Sequence, residues 1–308
     1  MALESSYAAF LSAGGRVTRV LSSRVHESLS DPTGLRKLMD QHEWDGGGSA
    51  TSNVTRVTRG LVMAAATSEI VGGATNTLPT TTNFDITVAR YLATVAPTDL
   101  FRITDGGINV PYLVGLLTES LDLTLTDLLT ALFANVAGNV GTSGNDMTVD
   151  DFYDAIYYLN LNLNGNSNAG DLAAVLHQQQ LNDFIESIRG EVGPMQFRED
   201  AQGLLDAPGV GFVGQFAKVP IYQSDSVVST GADRRGCMFG RGAFAYKLAP
   251  VGAMDPMINP ADILVGTPEM FIERSRDSAN GITNLYVNSY PGTAEQEDLR
   301  AVRITTDA

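Results

Sequence analysis

Several short stretches of this 308-residue chain carry residue types that could do chemistry, and the first is rich in glycine. Gly209, Gly211 and Gly214 have the spacing of a dinucleotide-binding turn, in which backbone N–H groups at a helix start bind phosphate. No apolar strand precedes them, and the following residues, FAKVPIYQSD, contain Pro220 and alternate like a strand. The context favours a turn between strands over a nucleotide site.

A second stretch has the ligand spacing of a calcium loop, formed by Asn160, Asn162, Asn164, Gly165 and Asp171. Calcium affinity depends on the number of carboxylates, and this stretch offers one. An apolar run, LAAVLH, also stands where the second helix of such a site would begin. The sequence therefore predicts a polar turn and no bound metal.

The remaining chemically reactive residues are isolated. His177 could lie near Asp183, but no candidate nucleophile accompanies it, so a structural role is expected. Cys237, the single cysteine, lies in an apolar run and is expected to be buried and inert. With His26 and His42 as the other histidines, no zinc motif can be assembled, and no hydrolase, P-loop or redox motif appears. We expect no catalytic, cofactor or metal site, and no enzyme.

The charge and hydropathy of the chain exclude further classes of function. The first 60 residues hold seven Lys or Arg and six Asp or Glu, so the rest of the chain accounts for all of the net charge of −15. A body this acidic repels a phosphate backbone, which disfavours sequence-specific nucleic-acid binding but suits a wall that contains nucleic acid without adhering to it. No apolar run is long enough to span a membrane, and the start, MALESSYAAF, lacks a secretory signal, so synthesis inside the cell is expected.

The elements that must position any site are dominated by one long predicted helix, Asn109–Gly138. Asn109 can cap it, Pro111 suits its first turn and Gly138 can end it. Its apolar residues recur at helical steps, at Leu113, Leu116, Leu117, Leu121, Leu128, Leu132 and Val136.

Two segments before this helix look unable to fold alone. Residues 2–43 have helical periodicity with a break at Asp31-Pro32, and a Gly46–Gly48 spacer separates them from the body, so they predict an arm that docks on this subunit or on its neighbour. Ser49–Asp85 is rich in Gly, Thr, Ser and Asn and predicts a long two-stranded hairpin, which is marginal in isolation and is either disordered or laid on another subunit.

The later segments predict a compact layer of helices and strands followed by an antiparallel sheet. Arg90–Thr104 alternates like a strand, and Thr148 to Asp151 has capping-box spacing before a helix. The apolar run at 172–177 predicts a strand, and a second helix ends at Gly190. Residues 203–249 and the tail read as strands, with a turn at Asn280-Gly281.

This order of segments resembles the major capsid proteins of tailed bacteriophages, which have the Hong Kong 97-type fold. The most specific stretches are VPIYQSDSV and MFGRGAFAY, which are similar to the family's strand, Ser-Asp loop and Gly-Arg strand. The resemblance runs from about Ser49 onward and implies an α+β fold. Its implied parts are an N-terminal helical arm (1–48), an E-loop hairpin (49–85), a peripheral domain (86–138) with spine helix 109–138, an axial domain (139–235) and peripheral return strands (236–308).

The function that this resemblance implies is structural. Copies of the chain would form hexamers and pentamers that close into an icosahedral shell around double-stranded DNA, contacted non-specifically. The chain would be made in the host cytoplasm and end in the virion capsid, with no membrane contact. Further partners of such a shell are scaffolding, portal and cement or decoration proteins. Some members lock their shells through a lysine on the E-loop, but Lys37, Lys218 and Lys247 all lie outside 49–85, so covalent locking is not expected.

Two alternatives stay open at this stage. An encapsulin nanocompartment would share the fold, enclose an enzyme and bind a cargo peptide in an inner groove. A nucleotide-binding α/β enzyme would instead use the turn at Gly209–Gly214. The diameter and contents of a shell distinguish the first alternative, and a bound cofactor would indicate the second.

Overall fold

The computed structural model of the protein describes residues 34–44, 49–57, 81–96, 110–162, 171–191, 212–250, 263–266 and 270–307. The helices within these ranges are α1 (Val110–Leu132), α2 (Val149–Asn162) and α3 (Gln178–Glu191), with 3-10 helices at Gly34–Leu38 and Asp298–Arg300. The strands are β1 (Asp40–His42), β2 (Thr51–Val57), β3 (Thr81–Thr87), β4 (Tyr91–Val95), β5 (Asn139–Val140), β6 (Leu172–Leu176), β7 (Phe212–Phe216), β8 (Val219–Gln223), β9 (Ser229–Thr230), β10 (Asp233–Gly240), β11 (Phe244–Leu248), β12 (Ile263–Gly266), β13 (Met270–Asp277), β14 (Ile282–Ser289), β15 (Pro291–Glu295) and β16 (Ala301–Asp307).

A seven-stranded sheet forms the centre of the molecule. Its order is β5-β16-β10-β6-β8-β7, with β9 paired to β10. The predicted strand at the apolar run is confirmed as β6, and all of its residues are buried because both faces of the sheet are covered. Ala173 and Val175 point to one apolar core, and Leu172, Ala174 and Leu176 point to another. The two cores therefore share one sheet.

The first core lies between this sheet and α1, and it is aromatic at its centre. Phe133, Phe239 and Phe244 contact one another with ring centroids 5.0–5.9 Å apart. The second core lies on the opposite face, under α2 and α3. There, too, three phenylalanines meet, Phe152, Phe184 and Phe216, with centroids 4.9–5.4 Å apart.

The long predicted helix is confirmed as α1, but its predicted end at Gly138 is wrong. The helix covers 23 residues, about 35 Å at 1.5 Å per residue. Leu121, Leu125 and Leu129 recur at four-residue steps and are buried in the first core. Leu128, which the sequence placed on the buried stripe, is half-buried, so the true core face is rotated from the predicted one.

Contacts from the end of the chain explain why α1 ends at Leu132. The Arg303 guanidinium donates to the Ala134 carbonyl at 3.0 Å. The Ala137 N–H donates to the Asp298 carboxylate at 2.8 Å instead of to a carbonyl one helical turn earlier. These contacts come from residues more than 150 positions away, so no local pattern could reveal them.

Helix α2 begins with a reciprocal cap. The Thr148 N–H and hydroxyl both donate to the Asp151 carboxylate, at 2.9 and 2.7 Å, and the Asp151 N–H donates back to the Thr148 hydroxyl at 3.2 Å. The predicted capping box is confirmed. The helix predicted to end at Gly190 is α3, which ends at Glu191.

The end of the predicted arm is not helical beyond Met39. Gly34–Leu38 is a 3-10 helix, and β1 then pairs in parallel with β11. The helix predicted to continue to residue 43 is therefore wrong at β1, where pairing to another strand overrides local periodicity. Leu35 and Met39 are buried in the first core, so this segment docks on its own subunit. Residues 1–33 of the predicted arm lie outside the described residues.

The predicted hairpin is confirmed along its two strands. Strands β2 and β3 pair antiparallel, from Thr51 opposite Thr87 to Val57 opposite Thr81. We call these two strands the ribbon. Its connection, residues 58–80, lies outside the described residues.

The other strands form two smaller sheets, β1-β11-β15 and β12-β13-β14-β4. The predicted turn at Asn280-Gly281 is confirmed, and Gly281 adopts a φ of +62° there. The antiparallel sheet predicted for the tail is confirmed where β13 pairs with β14 and β16 pairs with β10, but β16 also pairs in parallel with β5. Strand β10 begins at Asp233 and pairs with β16 in the central sheet. A domain boundary between residues 235 and 236 would therefore divide this strand.

Candidate functional site

The residues with the spacing of a dinucleotide turn do not precede a helix. Gly214 lies inside β7, which turns directly into the antiparallel β8. Gly209 and Gly211 lie outside the described residues. The strand predicted after these glycines is confirmed, and a phosphate-binding helix start is not present at Gly214.

The residues with calcium-loop spacing are also separated by secondary structure. Asn160 and Asn162 belong to the last turn of α2, and Asp171 directly precedes β6. Asn164 and Gly165 lie outside the described residues. In the described part of the chain, no group of three or more His, Cys, Asp or Glu side chains could hold a metal ion.

His177 has a structural role at the start of α3. Its Nδ1 accepts from the Gln179 N–H at 3.2 Å, and its own N–H donates to the Gln180 side chain at 3.2 Å. Burial lowers the pKa of His177, and the Arg234 guanidinium lowers it further. The histidine therefore caps a helix in its neutral form near neutral pH.

Cys237 is fully buried in the first core, as predicted. Burial raises its pKa well above the ordinary value. A thiol in this state is a poor nucleophile, because the thiolate is the reactive form. None of the helices that the structure describes is long and apolar enough to cross a membrane.

Several polar contacts hold the ribbon against the rest of the chain, which we call the body. We call these contacts together the ribbon anchor. Lys247 in β11 is 2% exposed, and its ammonium donates to the Ser52 hydroxyl at 2.6 Å. A buried ammonium is costly unless it is hydrogen-bonded. This bond therefore favours the one position of β2 in which Ser52 lies against Lys247 of β11.

A carboxylate shared by two guanidinium groups is the second part of the anchor. Glu297 accepts from Arg56 of the ribbon and from Arg300, and the Glu297 side chain is only 12% exposed. Arg56 also donates to the Gly242 carbonyl at 3.4 Å. Arg300 donates to the Arg241 carbonyl at 2.9 Å. The ribbon is thereby tied to the β10–β11 turn and to the chain before β16.

Backbone and ring contacts complete the anchor. The Ala89 N–H, just after the ribbon, donates to the Pro291 carbonyl at 3.2 Å. A side chain at Gly292 would bring its Cβ within 2.6 Å of the Thr87 carbonyl oxygen, so the close approach of β15 to β3 needs glycine. The rings of His42 and Phe84 meet edge to face at 5.9 Å. Both strands of the ribbon are thus fixed to the body.

A groove of about 590 Å³ opens beside the anchor, between β1 and the ends of β6 and β10. Its lining includes Lys37, Asp40, Asp171 and Arg241, which carry both signs of charge. The described lining contains no serine, threonine or cysteine that could act as a nucleophile.

Sequence reasoning missed the ribbon anchor. One signal was available, since Lys247 interrupts the apolar run AFAYKLAP, and a lysine in a buried strand needs a partner. Arg56 and Glu297 gave no such signal, because they are separated by 240 residues and look like ordinary surface charges.

Comparison with known proteins gives similarity of structure without similarity of sequence. No protein-family model and no curated protein sequence matches the chain. The capsid of Ralstonia phage GP4 matches with a TM-score of 0.63 at 9% identity, covering 91% of this chain and 90% of that one. The capsid of cyanophage P-SCSP1u matches with a TM-score of 0.59 at 12% identity, covering 90% and 88%.

A third similar structure is the SrpI encapsulin of Synechococcus elongatus, with a TM-score of 0.57 at 13% identity, covering 89% of this chain and 86% of that one. At such identities the similarity is one of fold. The mixed helices and sheets of this chain are arranged as in these shell structures, and the chain has the Hong Kong 97-type fold of phage capsid proteins.

Proposed function

We propose that this chain is the major capsid protein of a tailed phage and that many copies close into an icosahedral shell around double-stranded DNA. The observation that carries the proposal is the match over about 90% of both chains to the capsid structures of cyanophage P-SCSP1u and Ralstonia phage GP4. A match of that extent leaves little of the chain for an additional domain. On this proposal the protein is structural, is synthesised in the host cytoplasm and ends in the virion.

The acidic composition supports the proposal. A shell that encloses DNA without binding it tightly benefits from a wall with net negative charge, because such a wall repels the phosphate backbone. The net charge of −15 fits contact with DNA that is non-specific and weak.

We assign parts of the chain to the parts of such a shell protein by their order. In this assignment residues 1–48 are the arm, 49–85 the E-loop, α1 the spine helix, and the central sheet with α2 and α3 the axial domain. Since β10 and β16 belong to the central sheet, the axial domain would include them as well as 139–235. Hexamers and pentamers of the chain would then be the units of assembly.

The position of the lysines supports a shell without covalent links. Lys247 is buried in β11, Lys37 and Lys218 are exposed, and none of the three lies in 49–85. Contacts of the arm and the ribbon, or a cement protein, would then hold the shell. Scaffolding and portal proteins are further proposed partners.

A second candidate, an encapsulin-type compartment, has one specific observation in its favour. The SrpI encapsulin matches the chain with a TM-score close to those of the phage capsids. Similarity of fold does not separate these two functions, because both are shells of one fold.

Electron microscopy of the expressed protein after size-exclusion chromatography tests the proposal, with and without co-expressed scaffold. We expect uniform closed shells or capsomer rings, and their diameter and their ratio of nucleic acid to protein separate a capsid from a compartment. A stable monomer under all conditions would overturn the shell proposal.

The E-loop assignment has its own test. Deleting residues 60–82 and joining the ends with a short linker should leave a folded, soluble subunit, because Thr81 and Thr82 are the only described ribbon residues that the deletion removes. This variant should fail to build stable shells. Normal particles from the deletion variant would refute the assignment while leaving the shell proposal standing.

A further inference from the structure

Helix α2 has two apolar faces, and only one of them is covered by the described chain. Its inner face, Phe152, Ala155 and Leu159, is fully buried in the second core. Its outer face carries Tyr153, Tyr157 and Leu161, which are 42%, 67% and 62% exposed. We call these three residues the outer stripe. A helix with two apolar faces is typical of one that lies between two layers.

The outer stripe is continuous. Its residues are spaced by four, so they lie one above another along about 12 Å of the helix. Tyrosine and leucine at such density supply contact area at a low entropy cost, and exposed aromatic residues in a row are typical of protein interfaces. A lone exposed leucine would need no explanation, but three large side chains in one row do.

The charge beside the stripe is acidic. Asp150 and Asp154 are both exposed and lie four residues apart on the same side of α2. The helix from Val149 to Asn162 contains three aspartates and no lysine or arginine. Any segment that docks on the stripe would therefore bind better with a cation at its edge.

A segment of the same chain has the complementary character. The turn between β7 and β8 consists of Ala217 and Lys218, with φ of +49° and +68°. Two positive φ values in a two-residue hairpin turn normally select Asn-Gly, so an alanine and a lysine here cost about 1 kcal/mol or more. Lys218 is exposed and forms no ion pair with any residue that the structure describes.

The turn cannot cover the whole stripe of its own subunit. Phe216, directly before the turn, contacts Tyr153 with ring centroids 5.5 Å apart. The turn thus lies at the N-terminal end of its own α2. Tyr157 and Leu161, one and two turns further along the helix, remain exposed.

We propose that the outer stripe of one copy binds the β7–β8 turn of a neighbouring copy. The Lys218 methylene chain would lie across Tyr157, and its ammonium would reach Asp154, which combines apolar, cation–π and ionic contact. The two surfaces differ, so the contact is head-to-tail and can close a ring. This inference rests on the proposed function, since it names the surfaces by which copies of a shell protein would meet.

Charge complementarity favours a second copy as the occupant. The outer stripe with its acidic edge and the basic turn occur on one chain, so each copy supplies both halves of the contact. An unrelated basic partner would use the stripe but would leave the strained Lys218 turn without a role.

A charge-exchange experiment tests the contact between copies. We expect Asp154→Lys and Lys218→Asp, each expressed alone, to lower shell yield about tenfold, because each places like charges together. An equimolar mixture of the two variants should regain six-membered rings, since alternating copies restore opposite charges at every contact, whereas a five-membered ring always keeps at least one contact between two copies of the same variant. Each variant should unfold at the denaturant concentration of the wild type, because both positions are exposed.

The outcomes separate this inference from the proposed function. Wild-type shells together with no recovery in the mixture would overturn the inference and leave the function intact. No wild-type shells under any condition would overturn both.

A cysteine experiment guards against variants that fold poorly. Asp154→Cys and Lys218→Cys each add one accessible thiol, since Cys237 is buried. Mixed under mild oxidation, the two variants should give a mixed disulfide dimer well above the level of either homodimer. A predominance of homodimers would overturn the head-to-tail contact.

The apolar part of the contact has a matched control. Tyr157→Glu with Leu161→Glu should abolish assembly without unfolding the subunit. Leu123→Glu in α1, a leucine that is 57% exposed, introduces the same chemistry elsewhere and should reduce assembly less. Normal assembly of the double variant would contradict the proposal.

Discussion

The second core and the ribbon anchor are held by opposite kinds of interaction. The second core consists of buried apolar side chains, and at its centre the trio Phe152, Phe184 and Phe216 has no exposed surface. The anchor consists of polar and charged groups, chiefly the Lys247–Ser52 bond and the carboxylate of Glu297. In β3, the strand of the ribbon nearest β15, Ile86 is the one buried residue.

This difference separates stability from position. Burying apolar surface stabilises by about 25 cal/mol per Å², so the core determines whether the subunit folds. Hydrogen bonds and ion pairs contribute less net free energy but specify direction. We infer that the body of the subunit is stable by itself, whereas the ribbon depends on a few polar contacts and on whatever lies along its far end.

The largest expected effect is therefore in the core. Phe184→Ala removes a ring that stacks on Phe152 at 4.9 Å and leaves a cavity, so unfolding should become easier by about 3–5 kcal/mol. Urea unfolding followed by circular dichroism measures this. Because both cores share β6 and β10, we expect one cooperative transition.

Tyr157→Ala is the matched control for this prediction. It also removes an aromatic ring from the same layer, but from the exposed face of α2, so stability should change by about 0.5 kcal/mol or less. Two separate unfolding transitions in Phe184→Ala would show that the two cores are independent, against the shared sheet.

A smaller effect is expected at the anchor. Glu297→Ala leaves the Arg56 guanidinium, whose side chain is 15% exposed, without its carboxylate, at a cost of about 2 kcal/mol. The loss should be local, so amide hydrogen exchange in β2 and β3 should accelerate more than exchange in β6. Asn53→Ala removes an exposed hydrogen bond within the ribbon, to Asp85 at 2.7 Å, and serves as a control that leaves the anchor intact. Equal acceleration in β6 and in the ribbon would contradict a local anchor.

The same contrast explains what the sequence could predict. Helical periodicity located α1, α2 and α3, because their buried faces repeat within a few residues, and a continuous apolar run located β6. The capping box at Thr148 was readable, since its two partners lie three residues apart. The hairpin strands were readable from composition. These are all local signals.

What the sequence could not predict depends on distant partners. The end of α1 is set by Arg303 and Asp298, and the strand β1 exists because β11 lies beside it. The ribbon anchor joins Arg56 to Glu297 in the same way. No spacing in the chain encodes such pairs.

The carboxyl groups of Glu295 and Asp298, at the edge of the first core, make the stability of the fold depend on pH. Burial raises the pKa of Glu295 to about 7, helped by the hydrogen bond and negative charge of Asp298. The folded state therefore holds a proton that the unfolded chain releases nearer pH 4.5. Stability from this group is complete below about pH 4.5 and is lost as the pH rises through about 7.

Glu295→Gln should remove this dependence. The free energy of unfolding of the wild type, measured relative to the variant, should fall by about 1 kcal/mol between about pH 4.5 and pH 7, after allowance for solvent screening. Asp298→Asn keeps an oxygen that can accept from the Ala137 N–H but removes the neighbouring charge, so it should flatten the profile in part. Parallel profiles of wild type and Glu295→Gln would show that the pair does not share a proton.

The smallest expected effect lies at the rim of the second core and has the opposite sign. Ala217 holds a φ of +49°, where the methyl group crowds the backbone, so Ala217→Gly should relieve strain. The greater freedom of glycine in the unfolded chain offsets part of this, which leaves a gain of about 0.5 kcal/mol in thermal unfolding. The reciprocal control is Gly231→Ala, at a φ of +68° with no atom within 4 Å of the added carbon, which should cost about 1 kcal/mol from backbone strain alone. If Ala217→Gly instead lost stability, the turn would be held by packing against the second core rather than strained, and the reason for linking its geometry to assembly would disappear.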